Sequence, residues 1–225
     1  MDTVVNKNFN KKCAFTLAEV LITLVIIGVI AAVTIPTVVN NTKKQEYVSK
    51  LKKTYSTLSQ ATAKIVAENG SAENWVTSTE GVYNLYKKHL SIAKDCGSSS
   101  GCLDQASEIK YLYGSQNPSY FSTYDSSNGF RFLLSDGTQV RFTNGVSATC
   151  TYNDDGRSND NCAFIMVDVN GAKKPNQLGR DIFWFVIKSG GLYPRGCEDG
   201  SSRCRINNSG DDCACKVIRE NAMNY

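Results

Sequence analysis

The stretch Lys11-Lys12-Cys13-Ala14-Phe15-Thr16-Leu17-Ala18-Glu19-Val20-Leu21-Ile22-Thr23-Leu24 opens the most apolar part of the chain. Between Lys12 and Lys43 the only charged side chain is Glu19, and Val20–Ile35 is apolar apart from Thr23, Gly28 and Thr34. A run this long near an N-terminus needs a lipid or protein partner, which excludes a plain cytosolic domain. A secretory signal peptide places its small-residue cut site after an apolar stretch of about 7–15 residues. Here the small residue, Ala14, precedes the stretch, and the stretch is too long. A cut would fall on the basic side and leave the apolar helix in place. No apolar run precedes Cys13, which argues against a lipid-modified cysteine. Glu19, one turn into the helix, would cost about 2–3 kcal/mol near a bilayer centre and less near an end. Either it has a function, or it sits at the interface and favours the helix N-terminus through the dipole.

Ala14-Phe15-Thr16-Leu17-Ala18-Glu19, the apolar helix behind it and Pro36 together resemble the processing region of type IV pilins and type II secretion pseudopilins. The resemblance implies that a prepilin peptidase cuts between Ala14 and Phe15 and methylates the new Phe15 amine. Alanine stands at position 14 where the family usually has glycine; both are small. Glu19 falls at the family's glutamate and Pro36 at its helix-kinking proline. The implied partners are homologous pilin or pseudopilin subunits, the prepilin peptidase and an inner-membrane assembly platform. The implied location is the inner membrane, single-pass with the N-terminus in the cytoplasm, then an extracytoplasmic or surface filament. The leader's lysines, Lys7, Lys11 and Lys12, are outnumbered by Lys43, Lys44, Lys50, Lys52 and Lys53 on the far flank. The positive-inside rule alone would reverse the orientation; the cut site, which must face a cytoplasmic active site, overrides it. Once freed, the Phe15 amine is a positive charge one turn from the negative Glu19. In a bundle with little water, the Glu19 of one subunit needs a partner, and a neighbour's Phe15 amine suits it.

The expected organisation is a cytoplasmic leader over 1–14, removed, a transmembrane helix over 15–39, a spine helix over 40–70 and a globular head over 71–225. Pro36 should bend the helix. Beyond it Val48, Leu51, Tyr55, Leu58, Thr62 and Ile65 recur every three or four residues as one apolar stripe, with Lys50, Lys52, Lys53 and Lys64 off it. Asn69-Gly70 reads as a helix stop. From Phe15 to Glu68 a continuous helix would be roughly 80 Å long; the alternative is two helices hinged near Asn40-Asn41. The lysine run is either a solvated helix face or a contact for phospholipid head groups or DNA. A second helix is expected over 80–93, with Val82, Leu85, His89, Leu90 and Ala93 near one face, and a short one over 103–112. Gln116–Asn128 reads as a loop. Strands are expected at 130–135 and 138–142 around Asp136-Gly137, a strong hairpin signal, at 163–169 and at 182–187, with Gly191–Pro194 as a further edge. Helices first and antiparallel strands after predict an α+β head of about four strands packed on the long helix.

The chain has 225 residues, 41% of them hydrophobic and 20% charged, with a net charge of +4. This excludes collagen-like, low-complexity and wholly disordered classes, and the charge forms no polyanion-binding field. Of nine cysteines, Cys13 lies in the leader. The other eight, Cys96, Cys102, Cys150, Cys162, Cys197, Cys204, Cys213 and Cys215, suggest an oxidising compartment and up to four disulfides. Zinc is the rival, but no Cys-x2-Cys pair exists. A local bond can close Cys96–Cys102, Cys150 is expected to pair with Cys162, and Cys213 and Cys215 each to reach back to Cys197 or Cys204.

Between the third and fourth strands, Asp168, Asn170 and Asp181 lie among glycines and a turn proline, which suits a hard cation such as calcium. The pattern is not an EF-hand; the alternative is a loop tied by Asx turns and side-chain hydrogen bonds. Asn153-Asp154-Asp155-Gly156 with Asp160 is a rival loop. No resident cofactor is otherwise implied. There is no Gly-x-Ser-x-Gly, no His-Glu-x-x-His and a single histidine, His89, so no enzymatic activity is expected. With no phosphate loop, any motor is another protein. The reading is a pilin-like structural subunit. The alternatives are a membrane-anchored extracytoplasmic enzyme or a binding module, the latter using Tyr111, Tyr113, Tyr120 and Tyr124 on a surface, a secreted substrate or nucleic acid.

Overall fold

The computed structural model describes residues 15–98, 102, 109–115, 129–143, 146–152, 160–171, 173–197 and 203–225. The chain forms two compact units, Met1–Lys43 and Lys44–Tyr225. One helix, α1 (Leu17–Asn69), supplies the described part of the first unit beyond Thr16 and the spine of the second. Pro36 lies inside α1, and the helix is unbroken at Asn40-Asn41, so the hinged alternative does not apply. The apolar part of α1 has the length and composition to cross a membrane, as a single-pass anchor requires. Its threonines bond back to the helix backbone. Thr34 Oγ1 donates to the Ile30 carbonyl at 2.9 Å and Thr23 Oγ1 to that of Val20 at 2.9 Å. Hydroxyls satisfied in this way can sit in lipid without a water partner.

In the second unit, α1 buries Tyr47, Val48, Leu51, Thr54, Leu58, Ala61, Thr62 and Ile65. This is the apolar stripe with Tyr55 moved to its flank, where it stacks on Phe185 at 5.5 Å. Leu51, Leu58 and Ile65 are fully buried, each contributing roughly 1.5–3 kcal/mol. Gly70 ends the helix with φ +81, the left-handed turn its sequence announced. Two short helices follow, α2 (Ala72–Trp75) and α3 (Thr79–His89). Ser78 caps α3 by accepting from the Gly81 N–H at 3.0 Å.

The sheet has six antiparallel strands in sequential order: β1 (Ile92–Gly97), β2 (Phe130–Leu134), β3 (Gln139–Phe142), β4 (Asn161–Asp168), β5 (Ile182–Lys188) and β6 (Gly191–Pro194). The expected count of about four falls short at both edges. β6 completes one edge. β1 replaces the end of the expected second helix, because Leu90 turns extended and Ile92 pairs with Leu134. The face that α3 buries is Val82, Tyr83 and Tyr86. Of the expected helix over 103–112, residues 109–112 are not helical; Lys110 forms a parallel bridge to Gln177. The rest of that span, and Gln116–Asn128, lie outside the described residues.

Every residue of β4 and β5 is buried. Alternation divides them between two layers. Ala163, Ile165, Val167, Phe183, Phe185 and Ile187 join the core shared with α1. Phe164, Met166, Ile182, Trp184 and Val186 form a second cluster with Ile109 and Leu178. The central strands are therefore covered on both faces. At the C-terminus a helix, α4 (Cys213–Glu220), for which no element was expected, carries the last two cysteines.

Candidate functional site

The start of α1 is built from Thr16 and Glu19. The Thr16 N–H and hydroxyl both donate to Glu19 Oε2 at 2.9 Å, and the Glu19 N–H donates to Thr16 Oγ1 at 3.2 Å. This is a reciprocal capping box, with Thr16 at the N-cap and Glu19 three residues on. Two N–H groups that a helix start leaves without partners are satisfied by side chains. The pattern Thr-x-x-Glu ahead of an apolar run was the signal for it; reading Glu19 only as a charge leaves Thr16 unnoticed. Phe15, just ahead of the box, is 85% exposed. Ala14 and Cys13 lie outside the described residues. Pro36, with no N–H, leaves the carbonyl one turn before it without its helical donor.

The loop between β4 and β5 brings Asp168, Asn170 and Asp181 together. Asp168 accepts from the Asn170 N–H at 3.1 Å. Asp181 accepts from the Asn176 N–H at 2.8 Å, the Gln177 N–H at 2.6 Å and Asn170 Nδ2 at 3.0 Å. Asn170 Nδ2 also lies 3.2 Å from the Tyr47 hydroxyl on α1. A calcium ion takes six to eight oxygens. Here both Asp181 oxygens accept from the loop's own N–H donors, and among the described residues no three His, Cys, Asp or Glu side chains converge. The donor set as folded is that of a hydrogen-bonded loop. The rival loop over 153–156 lies outside the described residues; Asp160 pairs with Lys188 at 3.0 Å.

Asp181 has no solvent exposure. Burial pushes its carboxyl up to about 6 from 3.8, against the backbone donors that favour the charged form. Burial also raises Asp168, and the neighbouring Asp181 charge adds to the rise. The fold thus binds the Asp181 proton more tightly than the unfolded chain does. The resulting stabilisation is complete below about pH 4 and is lost as pH rises through about 6, a change of up to about 3 kcal/mol. Asp181→Asn removes the Asp181 titration and the charge that raises Asp168. Unfolding measured from pH 4 to 6 is expected to show wild type losing stability relative to the variant; parallel curves would contradict the assignment.

Four disulfides join Cys96 to Cys102, Cys150 to Cys162, Cys197 to Cys215 and Cys204 to Cys213. The last two bind α4 to the segment after β6. The buried pair Arg195–Asp212, at 3.2 Å, lies beside them. The lysine run is engaged along the spine: Lys50 with Glu46 at 2.8 Å, Lys53 with Asp136 at 2.9 Å and Lys52 with Asn221 at 3.0 Å. His89 Nε2 lies 3.2 Å from Glu68 Oε2, next to the end of α1. Tyr111 and Tyr113 stack at 5.1 Å; Tyr120 and Tyr124 lie outside the described residues.

Residues 9–35 match the family model of the prokaryotic N-terminal methylation motif. No curated protein and no solved structure matches the chain. The matched segment covers Phe15, the Thr16–Glu19 box and the apolar run up to Ile35, ending one residue before Pro36. The chain carries the prepilin-type cleavage and methylation signal shared by type IV pilins and pseudopilins.

Proposed function

We propose that the chain is a pilin-like structural subunit of a type IV pilus or a type II secretion pseudopilus. Prepilin peptidase cuts between Ala14 and Phe15 and methylates the Phe15 amine. The processed subunit then enters a filament through its N-terminal helix, taken from the inner membrane by an assembly platform. The methylation motif over residues 9–35 carries this reading. The exposed apolar surface of α1 supports it. Val25, Val29 and Val33 are each more than 60% exposed, a surface that is stable only in lipid or against other helices.

In this reading the leader is cytoplasmic and the head is extracytoplasmic, where four disulfides persist. The capping box keeps the Glu19 carboxylate at the mouth of the helix, four residues from the new terminus. Removing the leader creates a cation, the Phe15 amine, with which the Glu19 carboxylate of a neighbouring subunit pairs. Repeating the contact between subunits would set their axial offset.

The test is the N-terminal mass of the protein from native membranes and from sheared surface fractions. The expected terminus is N-methyl-Phe15. Retention of Met1, or a terminus beyond Val39, would overturn the reading and favour a tethered binding module or enzyme. The stacked Tyr111–Tyr113 pair, with Tyr113 49% exposed, favours a binding role as a second reading. It is compatible with the first, as a subunit whose head grips a surface or a secreted substrate.

A further inference from the structure

We propose that the C-terminal lobe depends on a thiol–disulfide isomerase to reach the pairing Cys197–Cys215 with Cys204–Cys213. The inference rests on the proposed function for where that enzyme works and for the separation of Cys13 from the head.

The eight head cysteines do not pair uniformly in chain order. Cys96–Cys102 and Cys150–Cys162 join successive cysteines, with separations of 6 and 12. The last four are nested, the outer pair closing 18 residues and the inner pair 9. Cys213 and Cys215 are separated only by Ala214, so each must find the correct one of two partners.

Chain entropy does not choose for them. The swapped pairing, Cys197 with Cys213 and Cys204 with Cys215, closes loops of about 16 and 11 residues, and its closure odds lie within about 1.2-fold of the native ones. The choice is made by the folded lobe. On α4 the two side chains leave the helix about 200° apart. Cys213 is fully buried beneath Gly179, where an added Cβ would come within 2.9 Å of its sulfur. The Cys215 N–H donates to the Arg195 carbonyl at 3.0 Å. Gly179 lies between β4 and β5 and Arg195 follows β6, so both contacts need the sheet. An eight-residue helix does not hold its shape without that packing. Oxidation that precedes docking of α4 therefore yields both isomers.

The swapped isomer cannot correct itself. All eight head cysteines are bonded in it, and the ninth, Cys13, is in the leader. Exchange needs an attacking thiolate, which must come from outside the head; a reduced dithiol isomerase supplies it. Its thiolate attacks the Cys204 sulfur of the Cys204–Cys215 bond, forming a mixed disulfide and releasing the Cys215 thiolate. Cys215 attacks the Cys197 sulfur, forms Cys197–Cys215 and releases the Cys213 thiolate. Cys213 attacks the Cys204 sulfur of the mixed disulfide, forms Cys204–Cys213 and releases the isomerase thiolate. The number of disulfides is unchanged and no net electrons move.

The test uses the full chain in detergent, carrying Cys13→Ser so that only head thiols react. The reduced protein is oxidised with a thiol-free oxidant, and the bonds are mapped by fragmenting unreduced peptides between Cys213 and Cys215. Native and swapped forms are expected in near-equal amounts, with Cys96–Cys102 and Cys150–Cys162 formed throughout. Adding a reduced dithiol isomerase should convert the swapped half to native. The double variant Cys197→Ser, Cys215→Ser has no ambiguity and should form Cys204–Cys213 equally with or without the isomerase. Native pairing at full yield with the oxidant alone would overturn the proposal, as would a swapped fraction that the isomerase does not reduce. Neither result depends on whether the chain enters a filament.

Discussion

Glu19→Ala is expected to leave the head folded and, in the filament proposed above, to prevent incorporation of the subunit. Glu19 is the only charged residue between Lys12 and Lys43, and its described hydrogen bonds are all to Thr16. No head residue depends on it in the described contacts, so the unfolding transition of the head should not move. Among packed apolar helices the position matters far more. A neighbour's Phe15 amine left without its carboxylate is an uncompensated charge, a loss of about 3–5 kcal/mol. That corresponds to a drop in incorporation of roughly hundredfold or more. Glu19→Gln separates the two roles of this side chain. Glutamine keeps the capping box and removes the charge. If charge pairing drives assembly, Glu19→Gln fails as Glu19→Ala does. Normal incorporation of the glutamine variant, counted in sheared filaments, would show that assembly needs only the cap.

Gly196→Ala is expected to cost the head about 3–5 kcal/mol, combining the left-handed strain of a Cβ with overpacking. Gly196 has φ +90, and a Cβ there would stand 2.0 Å from the Asp212 carbonyl oxygen and 2.8 Å from the Asp212 Cβ. Neither neighbour can yield easily. Asp212 precedes α4, is paired with Arg195, and is followed at once by the Cys213 disulfide. Gly114 supplies the control. Its φ is +92, but nothing lies within 4 Å of the added atom. Gly114→Ala should therefore show the backbone strain alone, about 1–2 kcal/mol. Urea unfolding of the two full-length variants measures the difference. Equal costs would mean that the approach of residue 196 to Asp212 is loose.

Much of this architecture was legible in the residues because it rests on local rules. The spacing of Val48, Leu51, Leu58, Thr62 and Ile65 is helical wherever it occurs, and Asn69-Gly70 stops a helix in almost any context. Asp136-Gly137 turns a hairpin by its own backbone preferences. At the candidate site the glutamate and the cut-site residues stand out by type and spacing. Thr16 was missed because a threonine beside a conspicuous acid reads as ordinary, although the Thr-x-x-Glu spacing announced the cap.

The misreadings share a physical cause. Ile92–Gly97 has no clean alternation, and its burial is irregular; it is a strand because β2 offers it a partner, through a register that shifts twice. Cys213–Glu220 is too short to be a helix by propensity and exists because two disulfides and the sheet hold it. Asp168, Asn170 and Asp181 were legible as a polar cluster by composition; which atoms face one another depends on the loop's path, and that path turns N–H donors toward Asp181.

The sequence by itself determined the prepilin-type leader junction, the apolar anchor, the spine stripe and the α+β order of elements. These follow from interactions between residues a few positions apart, or between a side chain and its solvent. Only the tertiary structure decided that the sheet has six strands, that its centre is covered on both faces, and which cysteine of α4 meets which partner. Those outcomes depend on contacts between residues far apart in the chain, where local propensity is weak and burial chooses among pairings that the unfolded chain holds nearly equal.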